Sequence, residues 1–293
     1  RYPVPHGGNI AECPRGVLEM LEPLVSIVMP CYNSENYIAM AIESVCAQTY
    51  QNWELLIVDD LSTDRSCDVI LDYVKEDDRI KLFKLTEKGC AYGARNFATE
   101  KAQGAYIAFL DSDDLWLKEK LQRQIGFMEE NLLALSYSDY YMMDASGNVF
   151  LRPYSNPERT TYHSLLLKSS SIHFSSVVYS VKRLRKHFFK SIDVEDYAFL
   201  LDLLKILPEA KNVPEPLTVY RIANPLARSG NKKKIAMKTW NIYRNVEKLS
   251  LLQSSYCFLH YAIKGMLKYR PYRKNEFIDL SALISPEKGG LDR

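Results

Sequence analysis

The sequence predicts an α/β protein: a doubly wound, mostly parallel sheet flanked by helices, followed by a C-terminal helical extension. Three observations lead to this prediction. Short apolar runs of the kind that form buried strands alternate with segments whose apolar residues recur at helical spacing. Polar and acidic residues directly follow three of those runs. The last third of the chain carries two amphipathic patterns and a large excess of basic residues.

Length and composition are those of a globular protein. A chain of 293 residues, 47% of them hydrophobic, can form one large domain or a domain with an appendage. Its six cysteines show neither a Cys-x-x-Cys pair nor a metal-finger spacing, so we expect them to be reduced and buried. No apolar run approaches the ~18 residues of a spanning helix, and the N-terminal stretch lacks the apolar core of a signal peptide. A cytoplasmic location is therefore expected.

The first half of the chain supplies the sheet, after an N-terminal arm, residues 1–23, that shows no clear period. Four strands are predicted, at Leu24–Met29, Glu54–Val58, Ile80–Leu85 and Tyr106–Leu110. Each is followed by a helical pattern, which begins near Ser34, near Ser62, at Gly89 and near Leu117. Ser62 is expected to cap the second helix and Gly104 to terminate the third. Such alternation favours parallel strands with right-handed crossovers.

The second half is less regular. Strands are predicted at Ser136–Met143 and Ser175–Tyr179, and a helix begins at Glu195-Asp196 and ends at Pro208. Two amphipathic helices then follow, at about 235–250 and 252–268.

The most informative stretch is Tyr106–Asp114, where a buried strand runs into three carboxylates, Asp111, Asp113 and Asp114. Like charges packed this closely at the end of an apolar strand are unfavourable unless a cation neutralises them. Carboxylate oxygens suit Mg²⁺ or Mn²⁺, whose coordination shells substrate phosphates often complete. The alternative is a solvated turn with acids that cap the next helix. The carboxyl end of a parallel strand favours the ligand site.

Two other strand ends carry polar chemistry, at Pro30–Asn33 and at Asp59-Asp60. Because the carboxyl ends of parallel strands meet at one edge, these groups are expected to lie near the three aspartates. The sequence contains neither the Gly-x-Gly-x-x-Gly fingerprint nor a P-loop, so a metal ion is expected to hold phosphates in place of a glycine cradle.

Taken in order, these motifs resemble family 2 glycosyltransferases, inverting enzymes of the GT-A type, in the style of bacterial enzymes that build O-antigen, capsule or other surface glycans. The motifs are Val25–Asn33, Leu56–Asp64, Gly93–Asn96, Phe109–Asp114 and Glu195-Asp196. The resemblance implies a nucleotide-sugar donor, a divalent metal and a single-displacement transfer. It also implies a catalytic domain over residues 24–220, in which 24–115 bind the nucleotide sugar and 116–220 the acceptor.

The resemblance assigns the donor site residue by residue. Pro30, Tyr32 and Asn33 would wall the nucleotide base, unless they form an ordinary turn. Asp59 or Asp60 would accept the imide N–H of uracil, and Asp60 could instead help to cap the helix near Ser62. Arg95 would contact the nucleotide or support the aspartates, unless it forms an ordinary surface ion pair. Asp111 would lie near the ribose or the metal, and Asp113 would bind the metal.

On the acceptor side the resemblance implies that Asp196 is the catalytic base and that Glu195 orients the site, although both could simply be acids at a helix start. Asp114 is expected to lie in the first turn of its helix instead of at the metal. Relatives often continue after Tyr-Arg with a histidine, which is absent after Tyr220-Arg221 here. Candidates for its role are Arg221, Arg228 and Ser229. His173 lines the acceptor pocket or is structural.

The C-terminal region, residues 221–293, is predicted to be a basic amphipathic helical extension. Between Arg221 and Asn275 there are thirteen Lys or Arg residues and one acid, a net charge of +12 against +2 for the whole chain. Basic and aromatic residues over 232–274 favour an anionic membrane surface, where lipid-linked acceptors reside. Packing on the catalytic domain or on a second subunit, as in a homo-oligomer, is the alternative. The sequence shows no nucleic-acid-binding module.

The function predicted is therefore sugar transfer from a nucleotide sugar, with UDP favoured, to a glycan or lipid-linked acceptor at the inner face of the cytoplasmic membrane. A metal-dependent nucleotidyltransferase would also use paired aspartates, but it should carry a Gly-rich basic loop after the first strand, where this chain has Pro-Cys-Tyr-Asn. A non-catalytic nucleotide-binding scaffold of the same fold is the remaining alternative.

Overall fold

A single mixed sheet organises the computed structural model of the chain, which describes residues 22–167, 172–192, 194–222, 232–267, 276–280 and 283. Among these residues eleven strands belong to the sheet: β1 Val25–Cys31, β2 Trp53–Asp59, β3 Ile80–Lys84, β4 Tyr106–Phe109, β5 Leu115–Trp116, β6 Leu135–Met143, β7 Val149–Phe150, β8 Arg159–Thr160, β9 Val178–Ser180, β10 Ala210–Arg221 and β11 Phe277–Ile278.

Helices cover both faces of the sheet. They are α1 Ile38–Cys46, α2 Ser66–Glu76, α3 Cys90–Lys101, α4 Lys120–Glu130, α5 Tyr162–Leu166, α6 Val181–Leu184, α7 Glu195–Ile206, α8 Lys232–Asn241 and α9 Leu251–Leu267. A 3₁₀ turn spans Phe174–Ser176, and a π-helical turn spans Ile242–Val246.

The strand order reverses beside β1. β1, β2, β3 and β4 are parallel and lie in the order β3–β2–β1–β4. The chain therefore moves outward from β1 to β3 and then returns to the other side of β1. Ligands of open α/β sheets bind at such a reversal, beyond the carboxyl ends of the strands. Next to β4 the sheet becomes mixed, since β9 pairs with it antiparallel.

Alternation along the strands builds two cores. Leu55 and Ile57 of β2 point into the cluster under α1, α2 and α4, whereas Leu56 and Val58 point into the cluster under α3 and α7. Strands buried on both faces read as continuous apolar runs, which is why the sequence predicted them. The doubly wound, mostly parallel sheet flanked by helices is confirmed.

Several local predictions were wrong. Pro30 does not end the first strand, because it still pairs in register with Val58. The second helix begins at Ser66 instead of near Ser62, and Asp64 accepts hydrogen bonds from the Ser66 N–H and hydroxyl. Gly104 lies beyond the helix end and has another role, since a Cβ there would come within 2.5 Å of the Ser26 backbone nitrogen.

The residues after Asp114 also differ from the prediction. Leu115–Trp116 form β5, paired antiparallel with β10, so the helix starts later, at Lys120. Asp114 is therefore outside the first turn of a helix, and it serves a different purpose. Burial of the cysteines was predicted correctly for Cys31 and Cys257 but not for Cys46 and Cys90, which are exposed.

The C-terminal extension is anchored to the catalytic region. Tyr243 lies in the core beside α7 and donates its hydroxyl to the Leu166 carbonyl at 2.8 Å. Glu247, the one acid of the basic stretch, accepts hydrogen bonds from the Tyr162 hydroxyl at 2.5 Å and from Lys205 of α7 at 2.9 Å. One further segment joins the sheet as β11, which pairs with β7. The predicted packing on the catalytic region therefore holds for the inner face of the extension.

Three parts of the predictions lie outside the described residues: nearly all of the N-terminal arm, the stretch 223–231 that contains Arg228 and Ser229, and residues 268–274 of the basic segment. The domain boundaries stay a prediction, since one sheet runs through residues assigned to both halves of the catalytic domain. Within the part of the chain that the structure describes, no helix combines the length and the apolar character needed to cross a membrane.

Candidate active site

Hydrogen bonds tie together the loops that follow β1, β2 and β4. The Asn33 N–H donates to the Ser62 hydroxyl at 2.9 Å, and the Asn33 side-chain oxygen accepts the Thr63 N–H at 2.8 Å. The hydroxyls of Ser34 and Ser112 lie 2.7 Å apart and link the first loop to the aspartate loop. These bonds fix the three loops relative to one another. The sequence analysis assigned neither serine to a role in linking the loops.

Arg95 connects the aspartate loop to α7. It projects from α3, is 5% exposed, and donates to Asp111 at 2.6 Å and to Glu195 at 2.7 Å. The rings of Phe174 and Phe189 lie against its guanidinium, at 5.0 and 5.5 Å. Burial lowers the pKa of Arg95, but the two carboxylates more than offset this, so that its pKa lies above the ordinary value. Arg95 therefore supports the aspartates and is not a surface ion pair.

Asp113 carries the least compensated charge of the site. Burial, together with the charges of Asp114 and Asp111, raises its pKa to about 7. Among the described residues, no side chain donates a hydrogen bond or an ion pair to its carboxylate. Arg95 pairs with Asp111 and makes no ion pair with Asp113. A cation beside Asp113 would be strongly favoured at neutral pH.

Asp114 is a structural hub, which corrects its predicted place in a helix turn. Its carboxylate is 1% exposed and accepts from the Ser175 hydroxyl and His173 Nε2, both at 2.5 Å, and from the Arg221 N–H at 2.9 Å. The His173 ring stacks on Tyr220 with centroids 4.1 Å apart. His173 thus holds the aspartate loop against the end of β10, which supports its structural interpretation.

Of the three candidates for the missing histidine, Arg221 is at the site. Its Nε donates to the Asp113 carbonyl at 3.0 Å, and its guanidinium lies 4.6 Å from the Tyr37 ring centroid. Arg228 and Ser229 lie outside the described residues. The structure therefore brings Arg221 beside the aspartate loop.

The two acids at the end of β2 point to opposite faces. Asp59 accepts the Ser62 N–H with one oxygen, and its other oxygen is buried without a hydrogen-bond partner among the described residues. Asp60 accepts the Gly89 N–H at 2.6 Å and pairs with Lys88 at 3.2 Å. It therefore does not cap the helix after Ser62. Lys88, which the sequence analysis missed, also lies over the Tyr32 ring, so Asp60 and Tyr32 share one small surface.

Backbone strain marks the start of α7. Val194 has φ 90° and ψ 45°, in the left-handed region that a β-branched residue rarely enters. Such a conformation costs about 1–3 kcal/mol and persists where the surroundings enforce it. It directs Glu195 to Arg95, while Asp196, which accepts the Tyr197 N–H at 2.7 Å, stays partly exposed beside it. Glu195 therefore joins the Arg95 ion pairs, and Asp196 follows it in the first turn of α7.

The residues present fit a hard divalent cation. Among the described residues Asp113 has no ion-pair partner, and Asp111 lies in the same turn, where the Asp114 N–H donates to its carbonyl. The described residues contain no cluster of three or more His, Cys, Asp or Glu side chains arranged for a metal. An ion held here would therefore keep positions for water and for substrate phosphates, as Mg²⁺ and Mn²⁺ usually do.

The chain is similar in sequence and in fold to known proteins. The model of the family "Glycosyl transferase family 2" matches residues 26–188. TuaG of Bacillus subtilis (strain 168), whose name refers to teichuronic acid biosynthesis, is 39% identical over 248 residues, covering 84% of this chain and 98% of that protein. WfaP of Escherichia coli, named as a UDP-Glc:alpha-D-GlcNAc-diphosphoundecaprenol beta-1,3-glucosyltransferase, is 37% identical, covering 84% of this chain and 95% of that one.

Among solved structures, the mannosyltransferase PcManGT from Pyrobaculum calidifontis, in complex with GDP-Man and Mn²⁺, superposes with a TM-score of 0.60. The alignment covers 86% of this chain and 82% of that one at 14% identity. At this identity the likeness concerns the fold, which is of the GT-A type.

Proposed function

Because the chain belongs to glycosyl transferase family 2, we propose that it is an inverting enzyme that moves a sugar from a UDP-sugar to a hydroxyl of a lipid-linked glycan during surface-polysaccharide assembly. The observation that carries this proposal is the buried Arg95, which holds Asp111 and Glu195 in one constellation although they are far apart in sequence. One guanidinium thus holds an acid of the aspartate loop and an acid of α7.

The donor would bind over the loops that follow β1 and β2. Tyr32 is half exposed and offers its ring to the base, with Pro30 and Asn33 beside it. Asp60 would accept the uracil N3–H, because it shares a surface with Tyr32 while Asp59 points away from it. The name of WfaP, which specifies UDP-Glc, favours a UDP-sugar.

Asp113 and Asp111 would hold a divalent metal, Mn²⁺ or Mg²⁺. When bound, the ion supplies positive charge that stabilises the departing nucleoside diphosphate. Arg95 keeps Asp111 in place from one side, and Arg221 holds the Asp113 backbone from the other. These two arginines fix the orientation of the acids before the donor arrives.

Asp196 would act as the base. Inversion requires the acceptor hydroxyl to attack the anomeric carbon from the side opposite the leaving group. Asp196 takes the proton as the new C–O bond forms, since a carboxylate is too weak to generate an alkoxide beforehand. No nucleophilic side chain is needed. Glu195, held by Arg95, positions the first turn of α7 and with it Asp196.

The acceptor would approach from a membrane surface. The outer face of α9 exposes a stripe at helical spacing, in which Leu252 is 84%, Tyr256 57%, Leu259 58% and Ile263 49% exposed. This stripe belongs to the basic region with a net charge of +12, and apolar stripes with basic flanks suit anionic lipid. The acceptor in the name of WfaP is lipid-linked.

Vesicle co-sedimentation tests the membrane contact. The wild-type chain should sediment with vesicles that contain phosphatidylglycerol and much less with neutral vesicles. L252E/L259E should abolish sedimentation without altering thermal unfolding. If the stripe instead mediates dimerisation, the wild type will sediment with neither vesicle, and the double variant will convert a dimer to a monomer.

A nucleotide-binding panel tests the donor and the metal. Binding of UDP, GDP and dTDP is measured with and without Mn²⁺, followed by hydrolysis of a panel of UDP-sugars. We expect metal-dependent binding with UDP preferred, and its loss in Asp113→Ala. Asp78→Ala, an exposed acid before β3 at the opposite edge of the sheet, serves as the control and should bind like the wild type. Binding of triphosphates without a preference for UDP would favour a nucleotidyltransferase instead.

A further inference from the structure

We propose that the Lys88 side chain occupies the seat of the nucleotide base in the ligand-free protein, so that Lys88 sets donor affinity by competing with the base. The inference rests on the proposed function, because it concerns the same nucleotide site. Lys88 lies in the loop between β3 and α3, outside the motifs that identify the family.

Three contacts define where the amine lies. Lys88 Nζ is 2.9 Å from the centroid of the Tyr32 ring, which places it directly on the π-face. It donates to the Asp60 carbonyl at 2.8 Å and lies 3.2 Å from Asp60 Oδ2. The other oxygen of that carboxylate receives the Gly89 N–H at 2.6 Å. Lys88 thus faces the part of the carboxylate that remains for a ligand.

These are the two partners that a uracil ring would need. A base that stacks on Tyr32 must lie about 3.5 Å above the ring, and its N3–H must reach the Asp60 carboxylate. The amine of Lys88 fills both positions at once. The base therefore cannot enter until the amine leaves. The Lys88 side chain is 45% exposed, so it can turn into solvent.

The competition has a defined magnitude. An exposed cation–π contact and a partly exposed ion pair are both lost when the base enters, which weakens binding by about 3- to 30-fold. The same contacts are lost whichever base enters. Removing the amine should therefore tighten uridine and cytidine by one common factor, and the preference for uridine over cytidine, which comes from Asp60, should not change.

The experiment measures uridine, cytidine and UDP affinities by ligand-observed NMR and calorimetry for the wild type, Lys88→Met and Lys88→Arg. Uridine lacks phosphates, so it reports on the base seat alone. Lys88→Met should bind all three ligands about 3- to 30-fold more tightly, and Lys88→Arg should stay near the wild type. Lys101→Met is the matched control, since Lys101 also lies over a ring, that of Phe97, but at the far end of α3.

Each outcome of these affinity measurements supports or overturns the role of Lys88. Equal tightening of uridine and cytidine supports the inference. Unchanged uridine affinity overturns it, and weaker UDP binding with unchanged uridine would show that the amine contacts the diphosphate instead. A changed ratio of uridine to cytidine would show that Lys88 reads the base directly, which also overturns it. If the wild type binds no uridine nucleotide, the proposed function fails first and this inference fails with it.

Discussion

Replacing Arg95 with methionine should destabilise the protein and disable the site together. The substitution keeps much of the apolar volume against Phe174 and Phe189 but removes the guanidinium that joins Asp111 to Glu195. Removing one partner of a buried ion pair costs about 3–5 kcal/mol. Asp111 is 30% and Glu195 19% exposed, so water compensates part of this loss. We therefore expect the free energy of unfolding to fall by about 2–3 kcal/mol.

Equilibrium unfolding in urea measures the stability loss, and UDP binding with Mn²⁺ measures the loss at the site. Arg123→Met is the control, because Arg123 is an exposed helix arginine paired with Glu119 four residues earlier. Such pairs contribute only about 0.3–0.5 kcal/mol. If Arg95→Met loses no more stability than Arg123→Met and binds UDP normally, the bridge does not hold the site, and the reasoning from its burial is wrong.

Two further predictions concern titration and burial. In the metal-free protein the raised pKa of Asp113, about 7 against about 4 in the unfolded chain, means that the folded state binds more protons between these values. Urea unfolding in EDTA compares the wild type with Asp113→Asn. The free energy of unfolding of the wild type, relative to that of the variant, should fall by about 1–3 kcal/mol as the pH rises from 4 to 7, and a constant difference would contradict this. Lys120 is fully buried, its amine has no hydrogen-bond partner among the described residues, and burial holds its pKa well below the ordinary value. The Lys120 amine binds a proton more readily in the unfolded chain than in the folded one, so the lysine lowers the stability of the folded state at pH 7. Lys120→Met should therefore raise the free energy of unfolding by about 1–3 kcal/mol at pH 7 and by less towards pH 10. A variant less stable than the wild type would contradict this.

The architecture could be predicted from the sequence because burial on both faces leaves a simple pattern. β1, β2 and β4 are almost entirely buried and mainly apolar, and the helices between them repeat their apolar residues every three or four positions. Polar residues at the strand ends then had to gather at one edge, since parallel strands all end there. The location of the candidate site followed from that geometry alone.

Side-chain roles depended on contacts between distant segments, which a single sequence does not encode. Asp114 resembled a helix acid, yet its partners His173 and Ser175 come from a turn about 60 residues away. The choice between Asp59 and Asp60 required knowledge of which face each side chain takes beyond β2. Lys88 resembled an ordinary loop lysine until its distance to the Tyr32 ring was known.

The predicted starts of two helices were wrong because neighbouring residues offered several possible caps or pairings. The loop before α2 contains Ser62, Asp64 and Ser66, and any of them could serve as a cap. Asp64 accepts the Ser66 N–H at the start of the helix, whereas the Ser62 hydroxyl accepts the Asn33 N–H from the other loop. The delayed start of α4 has a similar origin, because Leu115–Trp116 gain strand pairing with β10 that the sequence did not reveal.

We infer that acids of the aspartate loop and of α7 face each other across one donor site. Comparing Asp196→Ala with the wild type tests this inference most directly. UDP affinity in Mn²⁺ and the rate of sugar transfer are measured on the same preparations, with a donor and a lipid-linked acceptor that the wild-type enzyme uses. We expect unchanged UDP affinity and a transfer rate lower by about 10²- to 10⁴-fold, the usual contribution of a catalytic base. Transfer by Asp196→Ala at the wild-type rate would contradict the inference.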